Sequence, residues 1–131
     1  MSHVTARGAA RAHDKSLHEL SIAQAILDRV AVEMRRHGGA RPSAVGIRLG
    51  EISGVDREAL AFGFEALVKD TAWEKLLLDV DYCRRRHHCA ACAREFAVLD
   101  FDTACPYCGA LNTALISGDE LDIAYIEVEE A

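Results

Sequence analysis

Cys89-Ala90-Ala91-Cys92 is followed, after a gap of twelve residues, by Cys105-Pro106-Tyr107-Cys108-Gly109. Two residues between cysteines let one tight turn aim both sulfurs at a single ion. Four thiolates then close a tetrahedral site with bonds of about 2.3 Å. This is the spacing of a zinc ribbon, and it fixes what residues 83–118 must be: a small metal module with little core of its own. Gly109 suits the end of the second knuckle, where the chain often needs a positive φ. A closed four-thiolate site has no open position and activates no water, so its expected role is structural. Four thiolates suit iron as well as zinc.

The fifth cysteine, Cys83, makes the count odd and argues against a disulfide framework. It reads as a strand-end thiol without function. His87 and His88 precede the first knuckle, where such residues are solvated, orient the site or substitute as ligands. Arg84-Arg85-Arg86 reads as a solvated connector or as a contact for an acidic partner.

Working outward, Leu76, Leu78, Val80 and Tyr82 alternate with Leu77, Asp79 and Asp81, which predicts a strand entering the module. A further strand is expected over residues 121–128. Upstream, Val45, Ile47 and Leu49 alternate with Gly46, Arg48 and Gly50, another half-buried strand, and Ser53-Gly54 turns the chain. Two helices complete the pattern. In the first, Leu20, Ala23, Ile26, Leu27, Val30, Ala31 and Met34 recur at three- and four-residue spacing, and His37-Gly38-Gly39 supplies the stop. The second runs from about Asp56 to Lys69, with Leu60, Phe64, Leu67 and Val68 as its stripe. The expected fold class is α+β: two helices on a small three-stranded sheet, with an inserted four-cysteine zinc-ribbon module.

Residues 1–16 differ from the rest, with Met1 and Val4 their only large apolar side chains. They read as a flexible extension without a signal-peptide apolar core. Three segments follow: the extension 1–16, an α/β domain over 17–82 and 119–131, and the zinc ribbon over 83–118. At 131 residues with 50% hydrophobic content, the chain can build a core. Fifteen Lys+Arg against 21 Asp+Glu give a net charge of −6, which disfavours nucleic-acid binding. No apolar run approaches the roughly 18–20 residues of a membrane span, so a cytoplasmic protein with reduced thiols is expected. No Ser-His-Asp or Cys-His set stands at interpretable spacing, which disfavours an enzyme.

On local physics alone, Ser16-Leu17-His18-Glu19 is a capping box: the Ser16 hydroxyl would accept from the Glu19 amide, and the Glu19 carboxylate from the Ser16 amide. His18 would then be an ordinary first-turn residue.

From residue 17 on, however, the chain resembles the HypA/HybF family of nickel metallochaperones. His18-Glu19-Leu20-Ser21-Ile22 is similar to the family's opening Met-His-Glu and helix. Gly50-Glu51-Ile52-Ser53-Gly54-Val55 resembles its strand–loop signature, and Leu60-Ala61-Phe62-Gly63-Phe64-Glu65 its second-helix signature. The paired knuckles, Ile116-Ser117-Gly118-Asp119-Glu120-Leu121 and Ile126-Glu127-Val128 follow in family order. The resemblance implies a protein that is not an enzyme. It would bind Ni²⁺ through His18, with Glu19 in support, and hold Zn²⁺ through Cys89, Cys92, Cys105 and Cys108. Its implied partners are a HypB-type GTPase and the large-subunit precursor of NiFe-hydrogenase or its maturation complex, with no nucleic acid and no membrane. An imidazole, a terminal amine and deprotonated backbone amides form a nitrogen-rich planar set that suits Ni²⁺ better than Zn²⁺.

Two departures stand out. The family histidine follows the initiator Met, whereas sixteen residues precede Leu17 here. Initiation at a UUG or CUG codon for position 17 would give Met-His-Glu directly, and the family-like length of the remainder favours that start. Ala93 stands after the first knuckle where the family often has Gly. The alternative function is a zinc-ribbon protein-interaction or regulatory module without nickel delivery.

Overall fold

The computed structural model describes residues 15–129. The expected flexibility of residues 1–16 falls almost wholly outside them. In chain order the elements are α1 (Lys15–Arg36), β1 (Pro42–Gly50), a 3-10 turn (Glu51–Ser53), α2 (Arg57–Val68), β2 (Leu77–Cys83), β3 (Arg86–Cys89), β4 (Arg94–Ala97), β5 (Thr113–Ser117) and β6 (Leu121–Val128). They form an α+β fold with two three-stranded sheets, in the orders β2-β1-β6 and β4-β3-β5. Among the described residues the chain divides into two compact units. One holds 15–47, 55–80 and 122–129; the other holds Arg48–Gly54 and Asp81–Leu121.

In the first unit α1 and α2 pack against each other. The buried stripe of α1 is Ile22, Ala23, Ile26, Leu27, Val30 and Met34. Ile22 joins the expected set, while Leu20 and Ala31 are only half-buried. The helix stops as predicted, with the Gly39 amide donating to the Met34 carbonyl at 2.9 Å. Leu60, Phe64 and Val68 are buried on α2, and Val45 and Ile47 on β1. The Asp56 carboxylate caps α2, its Oδ1 accepting from the amides of Glu58 (3.0 Å) and Ala59 (3.2 Å). Such a cap satisfies two amides that have no partner inside the helix.

The expected capping box rests on the Ser16 side chain, which lies outside the described ones; the described part of helix α1 includes Lys15 and Ser16. The Glu19 carboxylate accepts from the Asp56 amide, 37 residues away.

Tyr125 on β6 donates its hydroxyl to the Asp79 carboxylate on β2. That hydrogen bond, with some desolvation and the negative charges of Asp79 and Glu127, pushes the phenol up to about 12. The folded state therefore holds this proton more tightly than the unfolded chain, whose phenol titrates near 10. The contribution is complete below about pH 10 and is lost as pH rises through about 12. Unfolding midpoints measured from pH 8 to 12 should fall more steeply in the native protein than in Tyr125→Phe. Parallel curves would show that the bond is not formed in solution.

The second unit has a smaller core of Cys89, Phe96, Val98 and Cys105, with Cys92 and Ala110 packed on it. Strand β3 pairs antiparallel with β4, Cys89 opposite Arg94. It also pairs antiparallel with β5, with an irregularity at Arg86/His87. These three strands were not legible from alternation, because four or five residues carry too few periods.

Candidate metal centre

The first knuckle is the turn between β3 and β4. The Ala93 amide donates to the Cys89 carbonyl at 2.7 Å. The second knuckle repeats this bond, Gly109 to Cys105, at 2.8 Å. Each knuckle ends on a left-handed residue, Ala93 at φ 64° and Gly109 at φ 78°. Glycine takes that conformation freely, whereas an alanine Cβ crowds the following carbonyl at a cost of roughly 1–2 kcal/mol. Ala93→Gly should therefore stabilise the metal-loaded protein by about 1 kcal/mol after the extra freedom of the unfolded chain is subtracted. Denaturant unfolding would measure it, and a destabilised variant would refute the account.

The knuckles bring the four sulfurs of Cys89, Cys92, Cys105 and Cys108 within 4.8 Å of one another. Cys89 Sγ lies 3.6 Å from Cys108 Sγ, and Cys92 Sγ 3.7 Å from Cys105 Sγ. A tetrahedron of thiolates about 2.3 Å from a central zinc has sulfur–sulfur edges of about 3.8 Å. The donor set suits zinc, and these two edges match that tetrahedron. Cys89 and Cys105 are buried, Cys92 is half-buried and Cys108 is exposed, so the cluster opens to solvent on one side. Burial raises the Cys105 thiol, but the Tyr107 and Cys108 amides at its sulfur, together with the neighbouring Cys92 and Cys108 thiols, outweigh this and bring it down to about 7. The Tyr107 amide lies 3.4 Å from that sulfur. Such amides favour the thiolate, the form that binds metal. Across the knuckles, the Arg94 guanidinium stacks 4.7 Å from the centre of the Tyr107 ring.

His87 is not solvated. It is buried among β3, β5 and the chain before the second knuckle. The Thr113 hydroxyl donates to the Thr103 carbonyl at 2.7 Å. His87 Nδ1 must then donate to Thr113 Oγ1, 2.8 Å away, which fixes the tautomer. Nε2 accepts from Arg85 Nε at 3.2 Å. Burial and then the Arg85 charge lower its pKa. With both nitrogens engaged, His87 is a structural bolt. Arg85 is likewise more than a solvated connector: its amide donates to Glu51 Oε1 at 2.8 Å. Cys83 lies outside the four-sulfur cluster. Its thiol points to the Asp81 carbonyl and is raised by burial and then by Glu120 and Asp81.

At the start of α1, His18 is half-buried and Glu19 is fully buried. Glu19 Oε2 accepts from the Asp56 amide at 2.8 Å, whereas Oε1 has no hydrogen-bond partner among the described residues. A buried carboxylate oxygen without a partner is costly, and it marks this corner of the first unit as incompletely satisfied. The structure thus places Asp56, an exposed carboxylate at the start of α2, beside Glu19. Its proximity to Glu19 was not legible in the sequence.

A family profile described as "Hydrogenase/urease nickel incorporation, metallochaperone, hypA" matches residues 17–128. The chain belongs to the HypA family. Among HypA relatives, the hydrogenase maturation factor of Geobacter metallireducens is 36% identical over 113 residues, covering 86% of this chain and all of its own. The solution structure of the Ni metallochaperone HypA from Helicobacter pylori superimposes with a TM-score of 0.58 at 18% identity, covering 86% of this chain and 98% of its own. A second HypA solution structure gives a TM-score of 0.62 at 20% identity, covering 86% and 97%. Nickel and structural zinc are the metals of the HypA family, and the four-cysteine cluster suits the zinc. No helix among the described residues is long and apolar enough to cross a membrane.

Proposed function

We propose that this protein is a cytoplasmic nickel metallochaperone, not an enzyme, which binds Ni²⁺ and delivers it during maturation of NiFe-hydrogenase. The observation that carries this is the family match over residues 17–128, which includes His18 and Glu19 in the family's opening motif. Cys89, Cys92, Cys105 and Cys108 would hold a structural Zn²⁺. His18 would ligate nickel. Glu19 would support it from beneath, because its carboxylate is buried and holds the Asp56 amide. Delivery would involve a HypB-type GTPase and the hydrogenase large-subunit precursor or its maturation complex. The nickel site lies on the α/β part, over 17–82 and 119–131, and the zinc ribbon over 83–118.

Nickel titration calorimetry on zinc-loaded protein tests this. Two forms would be compared, residues 1–131 and a form beginning Met-His18-Glu19, each with a His18→Ala control. We expect one Ni²⁺ per chain, tighter in the short form because a terminal amine stands beside His18, and at least a tenfold loss of affinity in His18→Ala. Nickel binding indifferent to His18 in both forms would overturn the assignment and favour a zinc-ribbon interaction module.

A further inference from the structure

The cysteine unit exposes more large apolar surface than its four-residue core would lead one to expect. Leu99, Phe101 and Leu111 are 70%, 89% and 81% exposed. Phe101 differs from the others in its backbone. It lies in a tight turn in which Leu99 bridges Asp102, closed by the Asp102 amide donating to the Leu99 carbonyl at 3.0 Å. The two central residues, Asp100 at φ 52° and Phe101 at φ 63°, are both left-handed. Turns of this kind favour Asp-Gly or Asn-Gly. Asp100 suits its position. Phe101 occupies the one where glycine is favoured, and a bulky side chain there is strained. The ring gains almost no burial in exchange. A residue that strains the backbone and packs on almost nothing is not explained by folding, and strain of this kind clusters at functional sites. The turn is also braced, because Asp102 Oδ1 accepts from the Ala104 amide at 3.0 Å.

We propose that Phe101 is a docking knob that inserts into an apolar socket on a partner protein, the socket being rimmed by Lys or Arg facing Asp100 and Asp102. Both aspartates are exposed beside the ring. Their charge selects a cationic rim and opposes approach to an anionic lipid surface or a phosphate backbone. A large aromatic side chain is the common anchor of a protein interface. Holding it on a braced two-residue turn reduces the ordering cost of binding. This contact is separate from the nickel site at His18 and stands whether or not that site carries nickel.

The test uses the zinc-loaded full chain and three variants: Phe101→Gly, Phe101→Asn and the double variant Asp100→Asn/Asp102→Asn. Asparagine tolerates the left-handed turn without the ring. The probes are the purified HypB-type GTPase, the purified hydrogenase large-subunit precursor and phosphatidylglycerol vesicles. Both Phe101 variants should match or exceed the native unfolding midpoint and keep the native nickel stoichiometry. Each should bind one of the two proteins at least tenfold more weakly. The double aspartate variant should lose severalfold in affinity and flatten its salt dependence. A fall in unfolding midpoint for both Phe101 variants would show that the ring packs into the fold and would overturn the proposal. So would unchanged affinity in those variants, absence of native binding to both proteins, Phe101-dependent binding to the vesicles, or self-association that requires Phe101.

Discussion

Replacing Cys105 with serine, or stripping the metal with a chelator, should unfold the cysteine unit while leaving the helical signal of α1 and α2 in place. Cys89 and Cys105 are two of the four residues in that unit's core. Two other hydrophobic side chains, Phe96 and Val98, remain to oppose the entropy of ordering the unit. That entropy is of the order of 1–2 kcal/mol per residue in the backbone alone. A bound structural zinc contributes about 10–16 kcal/mol in isolated peptides of this kind. The metal therefore outweighs what the small core can supply, and the unit should be ordered only when loaded. Hydrogen exchange should show the amides of β3, β4 and β5 losing protection in Cys105→Ser, alongside zinc release in a chromogenic assay. Cys83→Ser should release no zinc, since Cys83 stands apart from the cluster. Stoichiometric zinc and intact protection in Cys105→Ser would refute this account.

The second large effect is expected from Gly50→Ala. A Cβ at Gly50 would lie 2.6 Å from the Glu120 amide nitrogen and closer still to the Gly118 carbonyl. Gly118, itself at φ 117°, could take no Cβ either, because one would lie 2.7 Å from Arg85 Cα. Three backbone segments thus cross with no side chain between them to move aside. The Gly50 amide donates to the Glu120 carbonyl, and the Ile52 amide to the Gly118 carbonyl, both at 2.7 Å. A methyl group at position 50 would push the strands apart and break both bonds. Overpacking plus two lost hydrogen bonds should cost roughly 3 kcal/mol or more. Urea unfolding would measure it, and a loss below about 1 kcal/mol would mean that the crossing is looser than described.

Much of this was legible from residues alone. The stripes of α1 and α2, the alternation in β1 and the stop at Gly38-Gly39 are periodic or chemical signals within one element. The knuckles were legible because spacing alone dictates whether four sulfurs can share an ion. The missed features join distant parts of the chain. Glu19 meets Asp56 across 37 residues, and no local pattern announces that meeting. The local pattern suggested only a bond to Ser16, three residues away. The Gly50–Gly118 crossing is equally invisible, although both glycines sit in motifs shared with the family. His87 beside the first knuckle suggested a solvated residue or a spare ligand. Its engagement with Thr113 depended on the β3–β5 register, which neither strand was long enough to reveal. Ala93 was visible as a departure from the family's glycine, but its left-handed backbone emerged only in the structure.

The two knuckles each close on their own main-chain bond, Ala93 to Cys89 and Gly109 to Cys105. In the loaded unit each is therefore a two-toothed chelator whose turn is closed by its own main-chain bond. An ion held by both could let go of one pair while the second still grips it. Exchange with a thiol-rich acceptor would then proceed hand over hand, two sulfurs at a time, without a free aqueous ion. The exposed Cys108 is the natural first rung to yield. Metal turnover in this unit would accordingly be governed by the concentration of the competing ligand rather than by a slow spontaneous release.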